Sequence, residues 1–318
     1  MLKISIETWY INKSSWTDTY GTRFFMQQYF QKYNIELVRV SLNKFINKKQ
    51  YFTEYNIFDI HWKNELIKKK YIPNIIWSRH LSGIYHKYNT FKHIPTIPSQ
   101  KITIISNDKF ENYQFVWKYQ PFTTLLSSFF TNTSIQKSFT NKIVIKPIRA
   151  HSGKWIILST IPELLKKKKK YNGLEELYIV QQFKDFGKWY PWICAGNHDV
   201  RFMFAGKNII ESTLRIPKKS DFRSNIWLWW SQYLLEKKYI PKDLLSLTKK
   251  IYKKLDINDD NIFSMDFAYC KKDKQRYLLE INASPGTWYY QTDKKKLATI
   301  CRGLVNFFKK YKTNTSFI

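Results

Sequence analysis

The stretch 278-LLEINASPG-286 sets an acid, Glu280, and an amide, Asn282, on alternate positions of an otherwise apolar run, then halts it with Pro-Gly. Side chains alternate faces along a strand, so Glu280 and Asn282 share one side while Leu279 and Ile281 take the other. Upstream, 263-FSMDFAYC-270 has the same design, with Phe263, Met265, Phe267 and Tyr269 on one face and Asp266 on the opposite one. If the two segments pair as a hairpin centred on Asp273, Asp266 lies directly across from Glu280. A slip of one residue would separate them.

Two facing carboxylates repel unless a cation lies between them, and an oxygen set of Asp266, Glu280 and Asn282 suits a hard ion such as magnesium. Magnesium keeps several waters and shares phosphate ligands, so a nucleotide is its natural companion. The same spacing also reads as a solvent-facing hairpin with no ligand at all. Further upstream, 142-KIVIKPIRAHSGKWIIL-158 is a strand ending at Lys146, a small polar turn with Ser152 and Gly153, and a second strand. A glycine-tipped hairpin can fold over phosphates and offer backbone N–H groups, and a lysine emerging from its strand meets them as a point charge. Alone, the stretch is equally an ordinary hairpin.

The chain of 318 residues is 43% hydrophobic, which supports two or three packed lobes rather than disorder. No apolar run reaches the roughly 20 residues of a bilayer span, and the start, MLKISIETWYINKSS, lacks the design of a secretory signal. A cytoplasmic setting without membrane attachment is therefore expected. Cys194, Cys270 and Cys301 are isolated thiols without CxxC spacing, so neither a disulfide framework nor a thiolate zinc site is indicated. The net charge of +30 would draw polyanions together with the chain. Its lysines are spread throughout, however, and charge alone gives only non-specific nucleic-acid affinity. The dense run 166-KKKKK-170 reads as a solvated helix end.

In the first hundred residues, KISIET, 35-IELVRVS-41 and 74-NIIWSR-79 read as strands and 22-TRFFMQQYFQKY-33 as an amphipathic helix, implying a parallel sheet. The Pro steps of 94-IPTIPS-99 suggest a lobe boundary. Residues 108–130 read as mostly helix, broken at 120-QPFTT-124 by Pro121. Beyond 141 the chain is α+β, with strands NKIVIKP, LYIVQQF, DVRFMFAG, KNIIEST, IFSMDFAYC and RYLLEIN and a helix over 242–255.

This order of elements resembles the ATP-grasp superfamily, especially its RimK-like and glutathione-synthetase-like carboxylate-amine ligases, from about residue 95 to 290. The resemblance implies an ATP-grasp fold, α/β and α+β. A pre-ATP-grasp α/β domain would span 1–98 and the ATP-grasp domain 99–318, with a lid lobe over about 125–183 and a C-terminal lobe over about 184–318. It matches Lys109 in 106-SNDKF-110 and Lys146 to the family's nucleotide lysines, QPFTT to a Pro-x-Thr, and Ala150 to Lys154, with Ser152 and Gly153, to the phosphate-covering loop. The adenine hinge falls on 179-IVQQF-183, where backbone groups of Gln181, Gln182 and Phe183 would meet the purine and a glutamine replaces the usual acid. The segment 199-DVRFMFAGKNIIESTLRIP-217 matches the Asp-x-Arg strand and a later arginine, giving Arg201 and Arg215. The metal ligands fall on Asp266, Glu280 and Asn282 within Glu-x-Asn-x-x-Pro-Gly.

There are departures. The loop 150-AHSGK-154 has one glycine where relatives often have several, and 222-FRSNIWLWW-230 keeps an Arg-x-Asn with Asn225 but follows it with bulky aromatics that read as core or, alternatively, as a wall that narrows the acceptor site.

The implied reaction uses ATP and one or two magnesium ions, with manganese as an alternative. The γ-phosphoryl group activates a carboxylate as an acyl phosphate, which an amine then attacks. Lys109 and Lys146 would balance phosphate charge and Arg215 would stabilise the transferring group. Arg201 would serve a carboxylate or phosphate, and Asn225 the acyl-phosphate pocket. The substrates would be a small molecule or peptide bearing the carboxylate and an amine acceptor, such as an amino acid or peptide. No cysteine is needed as a nucleophile, and His151 reads as a loop hydrogen-bonding residue. A homodimer is the prior for a soluble enzyme. The alternative is a basic nucleic-acid-binding protein on a catalytically silent ATP-grasp frame, but a polyanion binder has no use for carboxylates aimed into its groove.

Overall fold

A computed structural model describes residues 1–7, 25–41, 44–58, 64–78, 91, 94–150, 155–186, 196, 198–217, 229–257, 259–285 and 294–312. Ser152, Gly153, His151, Cys194 and Asn225, with most of the aromatic run after it, lie outside them. Among the described residues no helix is long and apolar enough to cross a membrane.

The N-terminal sheet holds β1 (Leu2–Glu7), β2 (Ile35–Val40), β5 (Tyr55–Phe58), β6 (Asn64–Ile67), β7 (Ile75–Ser78) and β8 (Thr96–Ile97), while β3 (Phe45–Ile46) and β4 (Tyr51–Phe52) pair as a small ribbon. In the order β6-β5-β2-β1-β7-β8, the strands β2, β1, β7 and β8 run parallel, as their continuous apolar runs require. The strands read from the sequence thus form the expected parallel sheet, and β5 and β6, which the sequence reading did not include, add antiparallel to its edge. Each has four residues and an asparagine, too short and polar for a clear periodicity. The described part of the helix over 22–33, α1 (residues 25–31), buries Met26 and Phe30 in the core with β1 and β7.

The second sheet, the lid, is antiparallel with the order β11-β10-β12-β9, built from β9 (Thr123–Leu125), β10 (Lys142–Pro147), β11 (Ile157–Thr160) and β12 (Tyr178–Gln182). Ile143, Ile145 and Val180 pack with Leu126, Phe129 and Phe130 of α4 (Leu126–Thr131). Two earlier helices, α2 (Gln100–Asn107) and α3 (Lys109–Val116), lead into it. The break read at Pro121 is here an edge strand: β-branched Thr123 and Thr124 suit a pleated edge, and Thr123 pairs with Gln181.

The third sheet is antiparallel, β15-β14-β13-β16-β17, from β13 (Asp199–Ala205), β14 (Asn208–Pro217), β15 (Trp229–Leu234), β16 (Ile262–Cys270) and β17 (Gln275–Asn282). Period-two alternation gives it two unlike faces. Val200, Phe202, Phe204, Leu214, Phe263, Met265, Phe267, Leu278 and Ile281 form one core with Leu244, Ile251 and Leu255 of the helix Lys242–Leu255. The opposite face is divided along its length. Met203, Ala205 and Ile262 at one end pack under Leu297, Cys301 and Leu304 of the helix Lys294–Lys309, which joins this sheet to the N-terminal core. At the other end the same face carries charge.

Candidate active site

That charged end is laid out by cross-strand pairing. Thr213 pairs with Arg201, Arg201 with Asp266, and Asp266 with Glu280, so one row of the sheet holds an arginine and two carboxylates on one face. In the adjoining rows Arg215 pairs with Asp199, and Ser264 with Asn282. The sequence expectation of Asp266 opposite Glu280 is met through an irregularity that the sequence did not announce. Near the turn Phe267 pairs with Leu278, a register that carried forward would set Asp266 against Leu279. A bulge between Asp266 and Phe267 leaves Leu279 as the extra residue and restores the two acids to partnership.

The carboxylate of Asp266 is buried, at 3% exposure, and gathers several donors. Arg201 grips it with Nε to Oδ1 at 2.7 Å and Nη2 to Oδ2 at 2.6 Å, and Arg215 Nη2 donates to Oδ2 at 2.7 Å. The Asn282 amide nitrogen lies 3.5 Å from the same Oδ2. Burial on its own would raise this acid, but the charges of Arg201 and Arg215 and their hydrogen bonds outweigh it and hold the carboxyl below the ordinary range. Asp199, equally buried, accepts from Arg215 Nε, and here burial dominates, pushing the acid up to about 6 against the pull of Arg215. Two arginines and two aspartates thus form a hydrogen-bonded set, the condition under which buried charges are tolerated.

Two lysines, Lys109 from α3 and Lys146 from the lid strand β10, come to this face. Asp108 caps α3 by accepting from the N–H groups of Phe110 and Glu111, which fixes Lys109 at the first turn; its Nζ donates to Ala150 O at 2.5 Å. Burial lowers Lys109 from the usual lysine range, while Glu280 and Asp108 pull the other way. Lys146, near the end of β10, donates to Gln181 Oε1 at 2.7 Å. Burial, then the neighbouring Lys109 charge, bring it down to about 8, partly offset by Glu280. Both lysines therefore feel the Glu280 carboxylate across the cleft. Residues distant in sequence, on α3, β10 and β17, converge there.

The N–H groups of Gln182 and Phe183 are committed within the lid, to Phe122 O at 2.8 Å and Lys142 O at 3.2 Å. The Gln181 side chain turns to Lys146. Past the hinge, Lys184 Nζ meets Asp273 Oδ2 at 2.8 Å and Tyr277 Oη donates to the same oxygen at 2.7 Å, tying the exit from the lid to the turn between β16 and β17.

Among the described residues no group of three or more His, Cys, Asp or Glu side chains is arranged to hold a metal. Asp266 already accepts from Arg201 on both oxygens and from Arg215 on Oδ2, so a magnesium ion held by Asp266, Glu280 and Asn282 would share that carboxylate with the arginines and take most of its ligands from water and phosphate.

A RimK-like ATP-grasp domain model matches residues 108–300. The chain belongs to the RimK-like ATP-grasp family. Its members are ATP-binding ligases that form a C–N bond between a carboxylate and an amine, and this chain is accordingly such an enzyme. Solved structures share the fold over nearly the whole length at low identity. The VanG D-Ala:D-Ser ligase from Enterococcus faecalis superposes with a TM-score of 0.65 at 12% identity, covering 96% of this chain and 99% of its own. The D-alanine–D-alanine ligase from Bacillus anthracis, complexed with ATP, gives 0.61 at 13% identity, over 98% and 99%. A RimK-domain ATP-grasp protein from Sphaerobacter thermophilus gives 0.58 at 10%, over 96% and 98%. No curated protein matches the chain.

Two contributors to the site escaped the sequence reading. Asp199 was passed over as the first letter of Asp-x-Arg, although a buried acid two residues before an arginine on one strand face needs a cation beside it. Thr123 was legible only as part of Pro-x-Thr, because its partner Gln181 is brought near by sheet pairing alone.

Proposed function

We propose that the chain is an ATP- and magnesium-dependent carboxylate-amine ligase working through an acyl phosphate, with an amino acid or peptide as substrate. The observation that carries this reading is the convergence of Lys109 from α3 and Lys146 from the lid on Glu280, itself paired with Asp266. Like-charged lysines held together around a carboxylate row make sense where phosphates and a divalent ion are to be seated between them. The fold likeness to ligases named for joining D-alanine or D-serine supports the amino-acid or peptide class.

In the proposed reaction a substrate carboxylate oxygen attacks the γ-phosphorus and ADP leaves. The amine then attacks the acyl carbon, phosphate leaves, and the amine proton departs with it. Asp266, Glu280 and Asn282 would hold magnesium, which when bound neutralises and orients the phosphates. Lys109 and Lys146 offset phosphate charge from the lid side. Arg215, braced by Asp199, faces the developing negative charge on the transferring group and on the tetrahedral carbon, and Arg201 orients a carboxylate or phosphate. Asn225, Ser152 and Gly153, outside the described residues, keep their proposed places in the acyl-phosphate pocket and the phosphate-covering loop.

The test is ADP formation from ATP and magnesium across a panel of amino acids and short peptides. Release of ADP that depends on both a carboxylate and an amine, and that falls below detection in Glu280→Ala, is the expected result. RNA binding indifferent to Glu280→Ala, with no ADP under any acceptor, would instead favour a silent frame that binds nucleic acid.

A further inference from the structure

The hinge glutamine has a partner on each side, and the two partners fix which way it points. Thr123 has one hydroxyl proton, and it is given to Pro121 O at 2.8 Å. Its oxygen must then accept, and the group beside it is Gln181 Nε2 at 2.9 Å. That assigns the amide: with nitrogen toward Thr123, Oε1 faces Lys146 Nζ at 2.7 Å. The opposite orientation would set an NH2 group against an ammonium, donor to donor. The strand pairing that makes this run possible is Thr123 with Gln181 and Gln181 with Val144, so β9, β12 and β10 each contribute one link. Thr123 and Gln181 are both buried.

We propose that Thr123 and Gln181 are positioning residues: a one-way chain of hydrogen bonds, from Lys146 through the hinge amide to the Thr123 hydroxyl, aims the lysine at a nucleotide phosphate. The inference rests on the reading of Lys146 as a phosphate-binding lysine and adds what holds it. An amide serves this task where a carboxylate would not. Glutamate at 181 would form an ion pair with Lys146 and cancel the charge intended for phosphate, and it would bring to Thr123 an oxygen that cannot donate. The Pro-x-Thr segment acquires a purpose as well, since Pro121 supplies the carbonyl that takes the hydroxyl proton and so sets the direction of the whole chain.

The experiment is calorimetric titration of the full chain with ADP, without divalent metal, and separately with adenosine, which carries the same base and sugar but no phosphate. Thr123→Val and Gln181→Met are expected to weaken ADP binding by roughly tenfold, the scale of one charge-assisted hydrogen bond, and Thr123→Val, which lies outside the hinge, to leave adenosine binding unchanged. Thr123→Ser, which keeps the hydroxyl, restores ADP affinity, and Gln181→Glu weakens it although it fills the same space. Lys146→Met separates the two ideas. If it weakens ADP while Thr123→Val and Gln181→Met bind as the unaltered chain does, the lysine reading stands and the relay is wrong. If Lys146→Met itself binds ADP normally, both fall. Parallel loss of ADP and adenosine in Thr123→Val, or failure of Thr123→Ser to restore, would also overturn the relay by reducing it to general packing.

Discussion

Asp266 receives two arginines at hydrogen-bond distance while its neighbour Glu280 faces two lysines from another lobe, so the two acids of one pair answer to different chemistry. Removing Asp266 strands two guanidinium groups in a buried place, and Asp266→Ala is expected to cost about 3–5 kcal/mol of stability as well as activity. Glu280→Ala leaves that set whole and should lose activity with stability changed by less than about 1 kcal/mol; urea unfolding of both variants checks the contrast. Lys146 gives a pH signature. Its pKa of about 8 lies below the ordinary lysine value, so the charged form that meets phosphate is lost as pH rises through 8. Folding stability responds oppositely, because above 8 the unfolded chain still binds a proton that the folded one has released, and this group's contribution therefore grows between 8 and its ordinary value near 10.5. ADP affinity measured from pH 7 to 9.5 is expected to fall in the unaltered chain and to show a flatter profile in Lys146→Met.

At the scale of elements, the bulge in β17 and the close seating of the C-terminal helix decide most. The bulge converts a pairing that would oppose Asp266 to a leucine into one that opposes it to Glu280. The helix Lys294–Lys309 approaches β14 at Gly303, where a Cβ would lie 2.4 Å from Ile210 Cγ2 and 2.6 Å from its Cβ. Alanine there gains helix propensity of roughly 1 kcal/mol but must push the helix off the strand. Gly303→Ala is expected to be destabilising by about 1–3 kcal/mol, and Ile210→Ala in the same chain to recover part of the loss, a coupling that a double-mutant cycle of unfolding free energies reads directly. Hinge and hairpin are joined by Lys184, Asp273 and Tyr277, a side-chain bridge from the segment after Gln181 to the turn that leads into the strand of Glu280.

Over the whole molecule, the charge of +30 sets the behaviour toward polyanions. Its lysines lie on all lobes, and retention on immobilised RNA is expected to fall steeply between about 50 and 200 mM salt and to be the same for Glu280→Ala, as counterion release without a specific site requires. The ATP-grasp membership and the third sheet were legible in the sequence, because alternation of apolar and polar residues in 262–270 and 275–282 is a local property, as is the Glu-x-Asn-x-x-Pro-Gly that ends it. The antiparallel edge strands β5 and β6 were not, being too short and mixed to carry a period, and neither was β9, because Pro121 just before it reads as a break in a helix. By itself the sequence determined which side chains share a face where a strand runs without a bulge, since that follows from a period of two and needs no partner; in β17 the extra Leu279 breaks the period, so that Leu278 joins Ile281 on the core face. Only the tertiary structure decided that Asp199 braces Arg215, that Thr123 orients Gln181 toward Lys146, and that a bulge returns Glu280 to Asp266. Those contacts join segments far apart along the chain, and register and lobe packing, which set them, are sums over many residues rather than properties of any one stretch.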